Sequence, residues 1–160
     1  MTWTFLLLLT ACDHRCAGVD IGAPCYEVAS GRYAVLEPTE RASGPLPALV
    51  WFHGYGGSAE KMLSRDWFRS ELQAQRVLGI VMDGVSNTWA HVGSPSARRD
   101  EIVYLEEVLD DVSRRYDLDP DRLWVSGHSQ GGSMAWDAAC YAGNSFAAAF
   151  PVSGAFWEPL

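Results

Sequence analysis

The chain has 160 residues, 48% hydrophobic and 20% charged, which is the composition of one ordinary globular domain and excludes a disordered polymer. Its net charge of -8 would be repelled by a phosphate backbone, and no basic cluster exceeds the pairs Arg98-Arg99 and Arg114-Arg115, so nucleic acid is excluded as a partner. Four cysteines occur, none in a CxxC pair, and neither a metal nor a cofactor is expected.

The chain opens on an apolar run, Trp3 to Ala11, too short to cross a bilayer as a helix but suited to the core of a signal peptide. Leu9-Thr10-Ala11-Cys12 has the form of a lipobox, at which a leader is cleaved and the new N-terminal cysteine acylated. No Lys or Arg precedes the run, so the usual positive flank is missing. Residues 1–24 are therefore read as a leader and short tether of an extracytoplasmic protein, secreted, periplasmic or lipid-anchored. Membrane attachment through Cys12 is the first reading, and a further disulfide cysteine the second. Cys16 and Cys25 are close enough to close a small loop. If Cys12 is lipidated, Cys140 is left over, and its partner is expected beyond Leu160.

Next, Tyr26 to Leu36 reads as an edge hairpin turning at Gly31, and Glu37 to Pro47 as a connecting loop. Ala48 to Phe52 runs apolar without alternation, as a strand covered on both faces does. From Ser58, an N-cap, to Arg76 the spacing of Met62, Leu63, Trp67, Phe68 and Leu72 predicts one helix. Val77 to Met82 is a second buried strand, and Asp83 to Ala97 a loop long enough to be functional. Arg99 to Tyr116 is predicted helical, with Ile102, Leu105, Leu109, Val112 and Tyr116 on one stripe and Asp100 and Glu101 at its start. The acidic run Glu106, Glu107, Asp110 and Asp111 is expected to be its solvated face, and Asp119-Pro120-Asp121 to break the helix. Arg122 to Ser126 is a third buried strand, Gln130 to Tyr141 a helix and Phe146 to Val152 a fourth strand. Such alternation implies a mainly parallel sheet flanked by helices. Of the seven tryptophans, Trp51, Trp89, Trp136 and Trp157 lie near Gly-rich turns, where a pocket wall competes with plain core filling.

Strand Leu123 to Ser126 runs into Gly127-His128-Ser129-Gln130-Gly131-Gly132 and then a helix. This is a G-x-S-x-G elbow in the strand, turn and helix setting that exposes a serine hydroxyl. Gly127 and Gly131 are expected because a side chain would clash in so tight a bend, and the helix N-terminus adds positive potential where an oxyanion would form. His53-Gly54-Tyr55-Gly56-Gly57 follows the earlier strand, where the other half of an oxyanion hole belongs. Backbone N–H groups of Tyr55 and Gln130 are the expected donors, with His53 bracing the loop. No histidine present is a convincing base: His128 is next to Ser129 on a sharp turn and should point away, His91 lies in the long loop and His14 in the leader.

The elbow, the His-Gly-x-Gly-Gly loop, Asn87-Thr88-Trp89, Ser94 to Asp100 and Pro151 to Trp157 together resemble the polyhydroxybutyrate depolymerase and feruloyl esterase branch of the α/β-hydrolases, from about Tyr26 onward. The resemblance implies a secreted serine esterase without metal, in which an Asp and then a His follow the serine on later loops. Asp137, within the helix after the elbow, is the only Asp after Ser129, and no His follows. The expectation is thus that residues 25–160 form the N-terminal part of an α/β-hydrolase domain lacking its C-terminal strands, inactive alone, with Ser129 as nucleophile on a small or polymeric ester. Its Phe146 to Val152 strand would be an exposed edge, with Phe146, Phe150, Phe156 and Trp157 forming an apolar patch. The alternatives are a catalytically dead lipoprotein that binds an ester or sugar, and a peptidase of the same fold.

Overall fold

A computed structural model describes residues 22–41, 43–94 and 97–156. The leader with Cys12 and His14, the expected Cys16 partner of Cys25, and Trp157 lie outside the described residues. Cys25 is disulfide-bonded, and Cys140 is a free, exposed thiol.

Six strands form one mixed sheet: β1 (Cys25–Val28), β2 (Gly31–Leu36), β3 (Leu46–Phe52), β4 (Leu78–Met82), β5 (Leu118–His128) and β6 (Ala148–Val152). Their order is β1-β2-β4-β3-β5-β6. The first hairpin and the β2–β4 pairing are antiparallel, while β4, β3, β5 and β6 run parallel. This is the strand arrangement of an α/β-hydrolase, as expected.

The helices are α1 (Ala59–Leu63), α2 (Asp66–Gln75), α3 (Glu101–Arg115) and α4 (Gln130–Tyr141). They cover both faces of the sheet, which is why β3 and β4 are apolar at every position. Val50, Phe52, Ile80 and Met82 pack with Tyr104, Leu105, Val108 and Ala135 on the α3/α4 side. Trp51 and Val81 pack with Leu63, Phe68 and Leu72 on the α1/α2 side. Each such large side chain contributes roughly 1.5–3 kcal/mol on burial.

Several expectations need correction. The predicted helix from Ser58 to Arg76 is two helices, broken where Arg65 adopts an extended backbone. In one continuous helix Leu63 and Phe68, five residues apart, would point about 140° apart; the break lets both face the sheet and leaves Trp67 60% exposed. The hairpin turns at Ala29-Ser30, and Gly31 opens β2. A Cβ on Gly31 would stand 2.4 Å from the Arg99 guanidinium, so that glycine makes room for an arginine. Asp119-Pro120-Asp121 lies within β5, after α3 has already ended at Arg115.

The acidic run is not wholly a solvated face either. Asp111 is buried and accepts hydrogen bonds from Tyr33 Oη at 2.5 Å and Arg115 Nε at 2.9 Å. Burial alone would raise its carboxyl, but the Arg115 and Tyr33 hydrogen bonds outweigh that and hold it below the usual carboxylate range. Glu107 accepts the Ser30 N–H at 2.8 Å, which ties the hairpin turn to α3.

At the other end of the sheet β6 pairs with β5, and among the described residues with no further strand. Phe150, Val152 and Phe156 are exposed there. Phe146, expected in that patch, precedes β6 and is partly buried against the core.

Candidate active site

The parallel strands β3, β4 and β5 end side by side, and the loop that follows each one converges on Ser129. In open α/β sheets this carboxyl edge is where ligands bind. Ser129 is the single residue between β5 and α4, at φ 56°, ψ -120°, a conformation that costs a non-glycine residue on the order of 1–3 kcal/mol. Its N–H donates to Val152 O at 2.9 Å, and its carbonyl accepts the Ser133 N–H at 3.1 Å. Its hydroxyl is hydrogen-bonded to no other group among the described residues.

The flanking glycines are required by backbone approach as much as by the bend. A Cβ on Gly131 would lie 2.0 Å from Phe52 O, and one on Gly127 would lie 2.2 Å from Gly131 O. The first turn of α4 therefore rests directly on the end of β3. On the opposite side Gly132 meets the chain after β6, where an added Cβ would lie 2.9 Å from Gly154 N.

The His53–Gly57 loop continues from β3. Gly54 faces the elbow: its Cβ would stand 3.6 Å from Ser129 Cβ and 3.2 Å from His128 O. Among the described residues the N–H groups of Tyr55 and Gln130 meet no acceptor, so the two donors expected of an oxyanion hole are unengaged. The Tyr55 side chain is 81% exposed. Gly56 N–H donates to Asn87 O at 2.8 Å, and Lys61 Nζ to Gly56 O at 2.9 Å, which fixes the loop from both sides.

His53 is buried, with Nδ1 2.8 Å from its neighbour's carbonyl, Gly54 O, and Nε2 accepting the Gly84 N–H at 3.0 Å. That set of partners needs the neutral ring protonated at Nδ1. Burial pushes its pKa below the ordinary value. Its ring packs on Trp89, 4.8 Å between centroids. His53 thus links the β3 loop to the β4 loop and is not directed at Ser129.

Periodicity gave no hint of what Gln130 does with its side chain. Its Nε2 donates to Thr88 Oγ1 at 2.8 Å and Trp89 O at 3.0 Å, while Oε1 accepts the Trp89 N–H at 3.3 Å. Trp89 Nε1 donates to His53 O at 2.8 Å. Thr88-Trp89 is thereby clamped between the elbow and the His53 loop. Arg99 does comparable work farther out: it donates to Ser30 O and Asp83 O and forms a buried ion pair with Glu101 at 2.6 Å, while Asp100 caps α3.

Asp137 is buried, 3.1 Å from His91 Nδ1 and accepting the Val92 N–H at 3.3 Å. It lies about two turns along α4 from Ser129 and anchors the far part of the long loop. Of the tryptophans expected near glycine turns, Trp51 and Trp89 are buried and Trp136 is 39% exposed. Beside the His53–Gly57 loop lies an open cleft of about 730 Å³ whose walls include Trp51, Lys61, Met62, Arg65, Trp67 and His128.

A serine posed on a strand-to-helix elbow, facing a Gly-rich loop at the carboxyl edge of this sheet, defines an α/β-hydrolase of the serine esterase type. The "Esterase" family model, described as putative esterase, matches residues 31–159, and the chain belongs to that family. It is 28% identical over 117 residues to "Putative esterase NocK" of Nocardia uniformis subsp. tsuyamanensis, covering 71% of this chain and 34% of that protein. It is 24% identical over 118 residues to "Probable feruloyl esterase C" of Aspergillus niger, covering 71% of this chain and 42% of that protein. Its fold matches the S-formylglutathione hydrolase FrmB of Staphylococcus aureus with a TM-score of 0.70 at 21% identity, covering 84% of this chain and 57% of the other. The chain thus spans about a third to two fifths of the length of these curated relatives.

Proposed function

We propose that the protein containing this chain hydrolyses carboxylic esters through an acyl-enzyme on Ser129. The observation that carries this reading is the unengaged Ser129 hydroxyl on a strained turn beside two unengaged N–H groups, Tyr55 and Gln130. Ser129 Oγ bonds to the ester carbonyl carbon as its proton passes to a base. The carbonyl electrons move to an oxyanion held by the two N–H groups and the α4 N-terminus. The C–O bond to the alcohol then breaks, and the alcohol departs with that proton. Water attacks the acyl-serine, and the acid leaves with Ser129 reprotonated.

The base and its orienting carboxylate are assigned to sequence outside these 160 residues. His53 is fully engaged between Gly54 and Gly84, His91 pairs with Asp137, and no histidine follows Ser129. The 160-residue chain is accordingly proposed to be inactive. The ester is proposed to be a hydroxyalkanoate, feruloyl or acetyl ester. A fluorophosphonate probe should label the longer protein at Ser129 and the 160-residue chain weakly or not at all. Labelling that persists in Ser129→Ala would overturn the assignment.

We further propose export, with Cys12 lipidated after cleavage at Leu9 to Cys12. Among the described residues no helix is long and apolar enough to cross a membrane. Expressed in a bacterial host, the protein should fractionate with membranes and Cys12→Ser should be released; a wild-type product already free of the membrane fraction would reject lipidation.

A further inference from the structure

The cleft beside the His53–Gly57 loop has a charge opposite to that of the chain. Of 160 residues, 20 are acidic and 12 are Lys or Arg, yet the ionisable side chains in the cleft walls, among the described residues, are Lys61, Arg65, Tyr55, His53 and His128, with no carboxylate. Glu60 and Asp66 adjoin the two cations in sequence but do not line the cleft. Asp83 accepts the Ala59 N–H at 2.7 Å and lies 3.9 Å from Arg32. Arg65 is exposed, and among the described residues it has no carboxylate partner. It stands at the extended break between α1 and α2, the same break that turns Trp67 outward to 60% exposure.

The break therefore places the Arg65 guanidinium beside an exposed indole and Met62 at the edge of the site. Cations without a carboxylate partner among the described residues, next to apolar walls, suit a ligand with a carbon skeleton that ends in a negative charge. Arg65 offers a planar fork matched to a carboxylate, and Lys61, although it also holds Gly56 O, adds a second positive charge.

We propose that this cleft selects esters whose non-reacting end carries a carboxylate, with the charge at Arg65 and Lys61 and the chain against Met62 and Trp67. This rests on the esterase reading of Ser129 and names its substrate class. Two exposed ion pairs of this kind favour the anion by about fivefold at low salt, an advantage that high salt screens.

The test is calorimetric titration of the full chain carrying Ser129→Ala, so that nothing is hydrolysed, with monobenzyl succinate and its neutral carboxamide analogue. The carboxylate should bind about fivefold more tightly in 50 mM salt, and the two should converge in 0.5 M salt. Adding Arg65→Gln should bring the ratio below about twofold, and Arg65→Lys, which keeps the charge but loses the fork, should restore part of it. Equal binding of the two probes, no binding of either, or a preference indifferent to Arg65 overturns the proposal. Fluorophosphonate labelling of Ser129 in the longer protein is a separate measurement: labelling without the anion preference would leave the esterase reading intact and remove this one.

Discussion

His53 shows how much of the site depends on one protonation state. As a neutral ring it donates to Gly54 O and accepts from Gly84 N–H; once protonated it can no longer accept, and the tie between the β3 and β4 loops is lost. Burial lowers its pKa in the fold, so below its ordinary value of 6.5 the unfolded chain binds the proton more readily. Its contribution to stability is then full above about pH 6.5 and is lost as the pH falls from there to the folded-state value. Urea unfolding should show stability declining from pH 7 toward pH 5, with that slope reduced in His53→Asn. An unchanged slope in the variant would assign the effect elsewhere.

Among the elements, α4 matched its predicted range because Ser129, the glycines and an apolar face all mark the same boundaries. Strands β3 and β4 were equally evident, since a strand covered on both faces has no polar position to blur it, whereas β5 begins four residues before its expected start because Asp119, Pro120 and Asp121 belong to it. The break at Arg65 was hidden, because Met62, Leu63, Trp67, Phe68 and Leu72 read as a set at helical spacing, although Leu63 and Phe68 by themselves would point about 140° apart in one helix. Asp111 was misread for a related reason: on a helix wheel it belongs to the acidic side, and only the fold brings Tyr33, distant in sequence, against it. The site divides in the same way. Ser129 and the His53–Gly57 loop announce themselves by local spacing, whereas the Gln130 clamp on Thr88-Trp89 joins residues more than forty positions apart. Gln130→Ala should free that clamp and leave Trp89 backbone groups unpaired. A loss of about 1–3 kcal/mol is expected, read as a lower urea midpoint with unchanged slope; an unmoved midpoint would mean that Trp89 Nε1 alone holds the loop.

At the scale of the whole sheet, among the described residues β6 pairs only with β5 and lies next to exposed Phe150, Val152 and Phe156, which is the arrangement that invites strand addition and dye binding. The 160-residue chain should bind a hydrophobic dye and self-associate with rising concentration. Phe150→Lys should weaken both while changing stability by no more than about 0.5 kcal/mol, as measured by dye fluorescence and sedimentation; undiminished association would place the contact surface elsewhere. The same strand has a further consequence through the hydrogen bond from Ser129 N–H to Val152 O. Because Val152 follows Ser129 in the chain and belongs to another strand, the serine cannot be held in its final pose until β6 has been synthesised, has cleared the ribosome and has docked beside β5. A nascent chain that ends inside α4 carries the whole G-x-S-x-G sequence but lacks the bond that poses it. The pose of Ser129 is thus set only after β6 has docked beside β5.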